Sequence, residues 1–344
     1  MPDRIYLDHA ATTPLRPEAR AAMEDAFALW ANPSSPHAEG RKAKAALEDA
    51  RERVKRALDW EGEVIFTSGA SEALAIALGR ARADRRAASA AEHDAVFRAA
   101  RDAAILPADG GRIDSAALAA ALAGQGPCVV AIQQLNPETG TLMLPGDGLA
   151  AQVRAGGGLL LADCAQSAGK IALPDCDMAV VSAHKLGGPV GVGALLVRDF
   201  ALLEPVGGHE RGYRAGTENL PAIAGFAAAL ERAGDWRTDA AERLAFAETL
   251  APARIAPGAD HAPHILALAH PAMSAQALLI RLDAMGFAVS AGSACSSGTL
   301  KKSRVLDAFG VADDVAARTI RVSLGWNTTA DELERFAAAW TSLT

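Results

Sequence analysis

Cysteine is scarce and widely spaced. The 344 residues contain Cys128, Cys164, Cys176 and Cys295, with no CxxC pair among them. That argues against a structural zinc site or a disulfide framework and fits a reducing compartment. No apolar run approaches the roughly 18 residues of a membrane-spanning helix. The opening MPDRIYLDHA lacks the apolar core of a signal peptide, so a cytoplasmic protein is expected. Positive charge is not in excess either: the formal net charge of -7 argues against a nucleic-acid binder. No internal repeat or low-complexity linker appears. Hydrophobic residues make up 50% of the chain, enough for one large domain and a smaller one.

Strand and helix signals alternate. GEVIFTS, CVVAIQQ, GGLLLADCA, DMAVVSA and VGALLVR are short apolar runs that predict buried strands. ASEALAIALGRA and GDGLAAQVRA predict helices between them. This βα alternation implies an α/β fold with a mostly parallel sheet covered on both faces. In RPEARAAMEDAFALWAN, Pro17 suits a first helical turn, and Ala19, Met23, Phe27 and Trp30 fall on one face. LPAIAGFAAALERAGD starts a further helix. HILALAH, AQALLIRLDAMG, FAVSAG and TIRVSLG then suggest a smaller α+β unit. It closes with TTADELERFAAAW, where Thr329 and Glu332 have capping-box spacing. The boundary is expected near residues 240–255.

The stretch VVSAHKLGGPVGVGALLV, residues 180–197, places Ser182, His184 and Lys185 between two buried strands. A lone lysine at a strand end ordinarily points its ammonium into solvent. Here Gly187, Gly188, Gly191 and Gly193 remove side chains, as when a large group must approach the backbone. A desolvated lysine has a lowered pKa and can form a Schiff base with an aldehyde, which suggests pyridoxal 5'-phosphate (PLP). Such a site needs three more parts. Asp163, at the end of GGLLLAD, is placed to pair with the ring nitrogen, although a turn or cap aspartate would look the same. TSGASEA offers free amides at a helix start for a phosphate. His93 in AEHDAV is a candidate for stacking on the ring.

Taken in order, YLDHAATTP, NPSSPHAEG, EVIFTSGASEA, EHDAV, NPETG, DCAQSAGK, SAHKLGGPVGVGAL, GGHERGYRAGTEN, SAGSACSSGTLKKSRVL and IRVSLG resemble the cysteine desulfurases of the class V aminotransferase family, over residues 6–325. The resemblance implies an aspartate aminotransferase-like (fold type I) large domain over residues 15–245. Residues 1–14 and 246–344 would then form the small α+β domain. It implies that Lys185 holds PLP, Asp163 pairs with the ring nitrogen, Gln166 donates to the ring oxygen, and His93 stacks and moves protons. Ala70, Ser71, Ser182 and His184 would hold the phosphate. Thr217 would reach the phosphate of a second subunit, making a homodimer. Asn136 and Arg321 would bind the carboxylate of L-cysteine, and Arg321 has the planar fork for it. Asn32 matches a motif, and a turn asparagine before proline accounts for it. The sequence departs from the family at Ala75, where an asparagine is usual. It departs again at Pro137, and in the polar ARADRRAASAAEH, a poor strand.

Cys295 lies among glycines and serines, which predicts an exposed loop rather than a core position. A cysteine there can act as a nucleophile once deprotonated. The resemblance is to the group with the longer GSAC loop. It implies conversion of L-cysteine to L-alanine with sulfur held as a persulfide on Cys295, then passed to an acceptor protein for iron–sulfur cluster, thio-cofactor or tRNA synthesis. A selenocysteine lyase or transaminase of the same fold is the alternative, and a non-catalytic binding protein a third. No metal is expected.

Overall fold

The computed structural model describes residues 4–144, 148–256, 258, 260–291 and 303–344. In chain order its strands are β1 (Ile5–Tyr6), β2 (Glu63–Thr67), β3 (Arg85–Ser89), β4 (Ala104–Leu106), β5 (Cys128–Gln133) and β6 (Leu159–Asp163). They continue with β7 (Met178–Ser182), β8 (Gly193–Val197), β9 (Arg254–Ile255), β10 (Ile265–Ala269), β11 (Phe287–Ala288) and β12 (Thr319–Ser323). Seven of them form one sheet in the order β2-β8-β7-β6-β5-β3-β4. Strands β3 to β7 run parallel to their neighbours, and only β8 runs against β2 and β7. This is the mostly parallel α/β sheet the alternation predicts.

The continuous apolar runs follow from burial on both faces. Val64, Phe66, Val130, Ile132, Val181 and Leu196 face one core, shared with Leu47, Val54 and Phe226 of helices Ala38–Ala57 and Leu220–Glu231. The alternate residues Ile65, Val129, Ala131, Val180 and Leu195 face the other, against Leu74, Leu78 and Val96 of helices Ala70–Arg80 and Asp94–Ala99. A third core surrounds the antiparallel sheet β12-β10-β9. It joins Leu266, Leu268, Ile320 and Val322 to Ile5, Leu7, Phe246, Phe336 and Trp340. The chain start belongs to this core because β1 pairs with β11. The last helix, Ala330–Leu343, has the expected capping box: Glu332 N donates to Thr329 Oγ1 at 3.3 Å and Thr329 N to Glu332 Oε2 at 2.9 Å.

One expectation needs correction and one is explained. ARADRRAASAAEH, a poor strand by composition, contains β3, which is paired on both sides, by β4 and β5. Ladder hydrogen bonds outweigh its weak β-propensity. The helix at Pro17 stops at Phe27, and its buried face is not Phe27 and Trp30, which are 64% and 81% exposed. It packs instead through Ala19 and Met23 onto Gly225, where a Cβ would come within 2.6 Å of Met23 Cγ. Close approach through small residues leaves the large aromatics outside.

Candidate active site

A cleft of about 500 Å³ opens at one edge of the large sheet. It lies beyond the carboxyl ends of the parallel strands, where an open α/β sheet leaves backbone groups and loops free to bind ligands. Asp163 ends β6 and Ser182 ends β7, and both are buried. Lys185 follows in a single 3₁₀ turn, Ala183–Lys185. Ser68, Gly69, Ala70 and Ser71 lead from β2 into helix Ala70–Arg80, and they line the cleft with His93, Gln166, Ser182 and His184.

The close fit of backbones here explains two glycines. At Gly193 a Cβ would lie 2.5 Å from the Val181 carbonyl oxygen and 2.9 Å from Gly69 Cα. Gly69 itself has φ of 145°, a value that side chains disfavour, so the chain turns sharply and presents the first amides of the helix. Those amides have no helical carbonyl to donate to and carry the positive end of the helix dipole, which suits a phosphate.

Burial pushes the Lys185 amine below its ordinary pKa; Asp163 opposes that shift and Arg321 adds to it. No hydrogen bond from the amine is formed among the described residues, and Lys185 lines the cleft. Asp163 Oδ1 accepts from Ala165 N at 2.9 Å, which fixes the carboxylate at the strand end. The Gln166 amide donates to the Ala10 carbonyl at 2.8 Å, and its Oε1 is buried without a partner. His93 accepts from Ala95 N through Nδ1 at 3.1 Å, as the cap of helix Asp94–Ala99. That leaves Nε2 for the cleft. Burial, then the neighbouring Lys185, lowers the His93 pKa.

These residues suit PLP: a cleft of the right scale, a desolvated amine, a carboxylate, helix amides, and a buried polar atom left unpaired beside them. Eight of the expected site residues are therefore brought together, namely Lys185, Asp163, Gln166, His93, Ala70, Ser71, Ser182 and His184. Three stand apart. Asn136 is fully buried, with Oδ1 accepting from Glu138 N, Thr139 N and Thr139 Oγ1, and Pro137 lines the cleft instead. Its Nδ2 has no partner. Arg321, on β12, donates through Nη2 to Asp8 at 2.8 Å and through Nη1 to the Pro137 carbonyl at 3.1 Å. Thr217 is exposed and does not line this cleft. Asn32 is a turn residue, its side chain accepting from Ser34 N at 2.8 Å. Ala75 is exposed on the cradle helix.

Several contributors were not singled out from the sequence. Thr12 Oγ1 lies 3.1 Å from His184 Nδ1, across 172 positions of chain. Glu72 accepts from Ser68 N and pairs with Arg214 at 3.2 Å, tying the phosphate loop to the segment that carries Thr217. Asp8 orients Arg321. Their types and motifs were visible, but their partners are far away in sequence.

Cys128, Cys164 and Cys176 are buried free thiols, and burial pushes Cys176 up to about 12. They are therefore poor thiolate formers. Cys295 lies outside the described residues. Among the described residues there is no cluster of metal-ligating side chains, and no helix long and apolar enough to cross a membrane.

The aminotransferase class-V family model matches residues 5–336. The chain is 36% identical to a cysteine desulfurase of Cereibacter sphaeroides, with 97% of this chain and 94% of that protein aligned. It is 34% identical to the putative cysteine desulfurase IscS 1 of Bacillus subtilis, covering 97% of both. Among solved structures, a NifS-like protein superposes with a TM-score of 0.86 at 29% identity over 99% of each chain. The protein SspA in complex with cysteine superposes with 0.79 at 26% identity, over 94% of this chain and all 100% of that one. With a family match across nearly its whole length and the fold to go with it, the chain belongs to the class V aminotransferase family of PLP-dependent enzymes.

Proposed function

We propose that the protein is a cysteine desulfurase: it takes L-cysteine to L-alanine and keeps the sulfur as a persulfide on Cys295. The observation that carries this is the buried, unpaired Lys185 amine sharing one cleft with Asp163 and a free helix N-terminus. The similarity to proteins named cysteine desulfurase supports it.

PLP, when bound, supplies an electron sink next to the substrate α-carbon. The chain supplies the rest. Lys185 anchors the cofactor aldehyde carbon, and Asp163 holds a proton on the ring nitrogen. Gln166 offers the second proton of its amide to the ring oxygen. The helix amides at 69–71, with Ser182 and His184, receive the phosphate. Arg321, steadied by Asp8, receives the substrate carboxylate with Asn136. The free Lys185 amine, or His93 through Nε2, takes the proton from the substrate α-carbon. The Cys295 thiolate attacks the substrate sulfur. An S–S bond forms as the C–S bond breaks, and the bonding pair stays with carbon, where a proton completes the methyl group of alanine.

The reading includes a homodimer in which Thr217 serves the partner's phosphate. The exposed Thr217, tied back to the cradle through Arg214 and Glu72, supports this, as does Val190, 72% exposed at the cleft. It also includes an acceptor protein that takes the sulfur toward iron–sulfur cluster, thio-cofactor or tRNA synthesis. Release of alanine and sulfide from L-cysteine in the presence of a reductant tests the reaction. A protein that binds PLP yet releases no alanine refutes it.

A further inference from the structure

One arginine outside the cleft holds the turn from which His93 enters it. The turn, residues 90–94, is fixed on its buried side by the end of β5. Glu92 Oε1 accepts from Gln133 N at 2.8 Å, and Gln133 Nε2 donates to the Ala91 carbonyl at 2.5 Å. On its other side stands Arg304, 212 positions beyond Glu92 in the chain. Its guanidinium donates through Nη1 to the Ala90 carbonyl at 2.5 Å. Through Nη2 it donates to the Glu92 carbonyl and, at 3.0 Å, to Asp94 Oδ1. The same group lies over the Phe97 ring, 4.2 Å from its centroid, a contact that further restricts where the fork can point. Arg304 is itself held in place. It opens the short helix Arg304–Ala308, and the preceding Ser303 is buried, with Oγ donating to Glu138 Oε2 at 2.6 Å and accepting from Leu306 N at 3.0 Å.

As a stabilising device the ion pair is weak, because Arg304 and Asp94 are 42% and 72% exposed and exposed pairs contribute little. Its geometry is specific. A planar fork bonded to three acceptors around one residue sets a backbone position more closely than a single ammonium could. His93 Nδ1 is already committed to Ala95 N, so the place of Nε2 in the cleft depends on where this turn stands. We propose that Arg304 is a positioning residue for His93: by holding the carbonyls of Ala90 and Glu92 and the carboxylate of Asp94, it sets the imidazole against the site of proton transfer. Arg304 does not itself line the cleft, so its effect passes through the turn. The inference rests on the proposed reaction, with His93 taking part in moving the substrate α-proton.

The experiment measures proton transfer apart from sulfur transfer. PLP-loaded Cys295→Ser protein in deuterium oxide should exchange the α-hydrogen of L-cysteine for deuterium, read by mass spectrometry. Adding Arg304→Met, which keeps an apolar stem over Phe97 but loses every hydrogen bond of the fork, should slow exchange about tenfold, within the range that misplacing a reacting group costs. Cofactor content and the half-saturating L-cysteine concentration should hold, because Lys185, Asp163 and Arg321 are untouched. Arg304→Lys, with the charge but no fork, should fall between the two; a full rate there assigns the effect to charge and overturns the inference. The comparison is then repeated with His93→Gln. In that background Arg304→Met should cost nothing more, since no imidazole is left to misplace. A merely structural role would slow exchange by the same factor with either residue at position 93, and that result overturns the inference. So does undiminished exchange in Arg304→Met or in His93→Gln. No exchange with both Arg304 and His93 in place is a different result: it refutes the proposed reaction, and the inference with it.

Discussion

The ion pair between Arg51 and Glu210 gives the most demanding test of how the site is framed. Both side chains are almost fully buried, 2% and 1% exposed. Glu210 accepts from Arg51 Nη1 at 2.7 Å, from Arg51 Nη2 at 3.1 Å and from Phe66 N at 2.8 Å. It thereby joins helix Ala38–Ala57 and β2 to the segment that leads to Thr217. Glu210 and Arg211 have φ of 48° and 56°, so the pair also holds a backbone conformation that side chains disfavour. Removing one partner of a buried pair costs about 3–5 kcal/mol. Arg51 retains the Val64 carbonyl at 2.6 Å and Glu48 at 3.2 Å, which places Glu210→Leu near the lower end, about 3 kcal/mol. The double variant Arg51→Met, Glu210→Leu leaves no uncompensated charge and should lose less than Glu210→Leu alone. Urea unfolding of cofactor-free protein measures this without a contribution from PLP binding. The reasoning fails if Glu210→Leu lies within about 1 kcal/mol of wild type, or if the double variant loses the sum of the two singles.

Four further outcomes are expected. Lys185→Ala should lose the visible absorbance and all turnover while its far-ultraviolet dichroism stays unchanged; a persisting band would remove Lys185 from the site. Thr217→Ala should weaken PLP retention by about 1.5–3 kcal/mol, the worth of a hydrogen bond to a charged group, and sedimentation should show a dimer. A fully active monomer contradicts that pair of claims. Cys295→Ser should still bind PLP and change its spectrum with L-cysteine, yet release neither alanine nor sulfide at the wild-type rate. In the wild type, an alkylating probe should find one persulfide, at Cys295, and none at the buried Cys128, Cys164 or Cys176. Because burial and Lys185 lower the His93 pKa, the imidazole stays neutral below its usual value of about 6.5. The acid limb of kcat/KM should therefore fall below that pH and change in His93→Gln.

Much of the fold was legible because the strands are buried on both faces. GEVIFTS, CVVAIQQ and DMAVVSA announce β2, β5 and β7 by apolar composition alone, and five such strands with helices between several of them leave few architectures open. The site was legible for a related reason. Groups that bind at strand ends fall just after the apolar runs, so Asp163 and Lys185 could be found by position. Periodicity failed at Phe27 and Trp30. Which stripe of a helix is buried depends on what it packs against, and Gly225 selected the small face. β3 is a poor strand by composition, and Arg85–Ser89 forms one because its neighbours β4 and β5 pair with it.

The sequence by itself determined the class of fold, the places of the apolar strands along the chain and the kinds of chemistry available at their ends, since each depends on local composition. Tertiary structure alone decided which of those groups meet. It set Arg321 against Asp8 across 313 positions and His184 against Thr12 across 172. Such pairings depend on how β1, β12 and the turns after β6 and β7 converge at one edge of the sheet. Electrostatic energy depends on distance through space and on the loss of water around the charges, and neither is written in the spacing of residues along the chain.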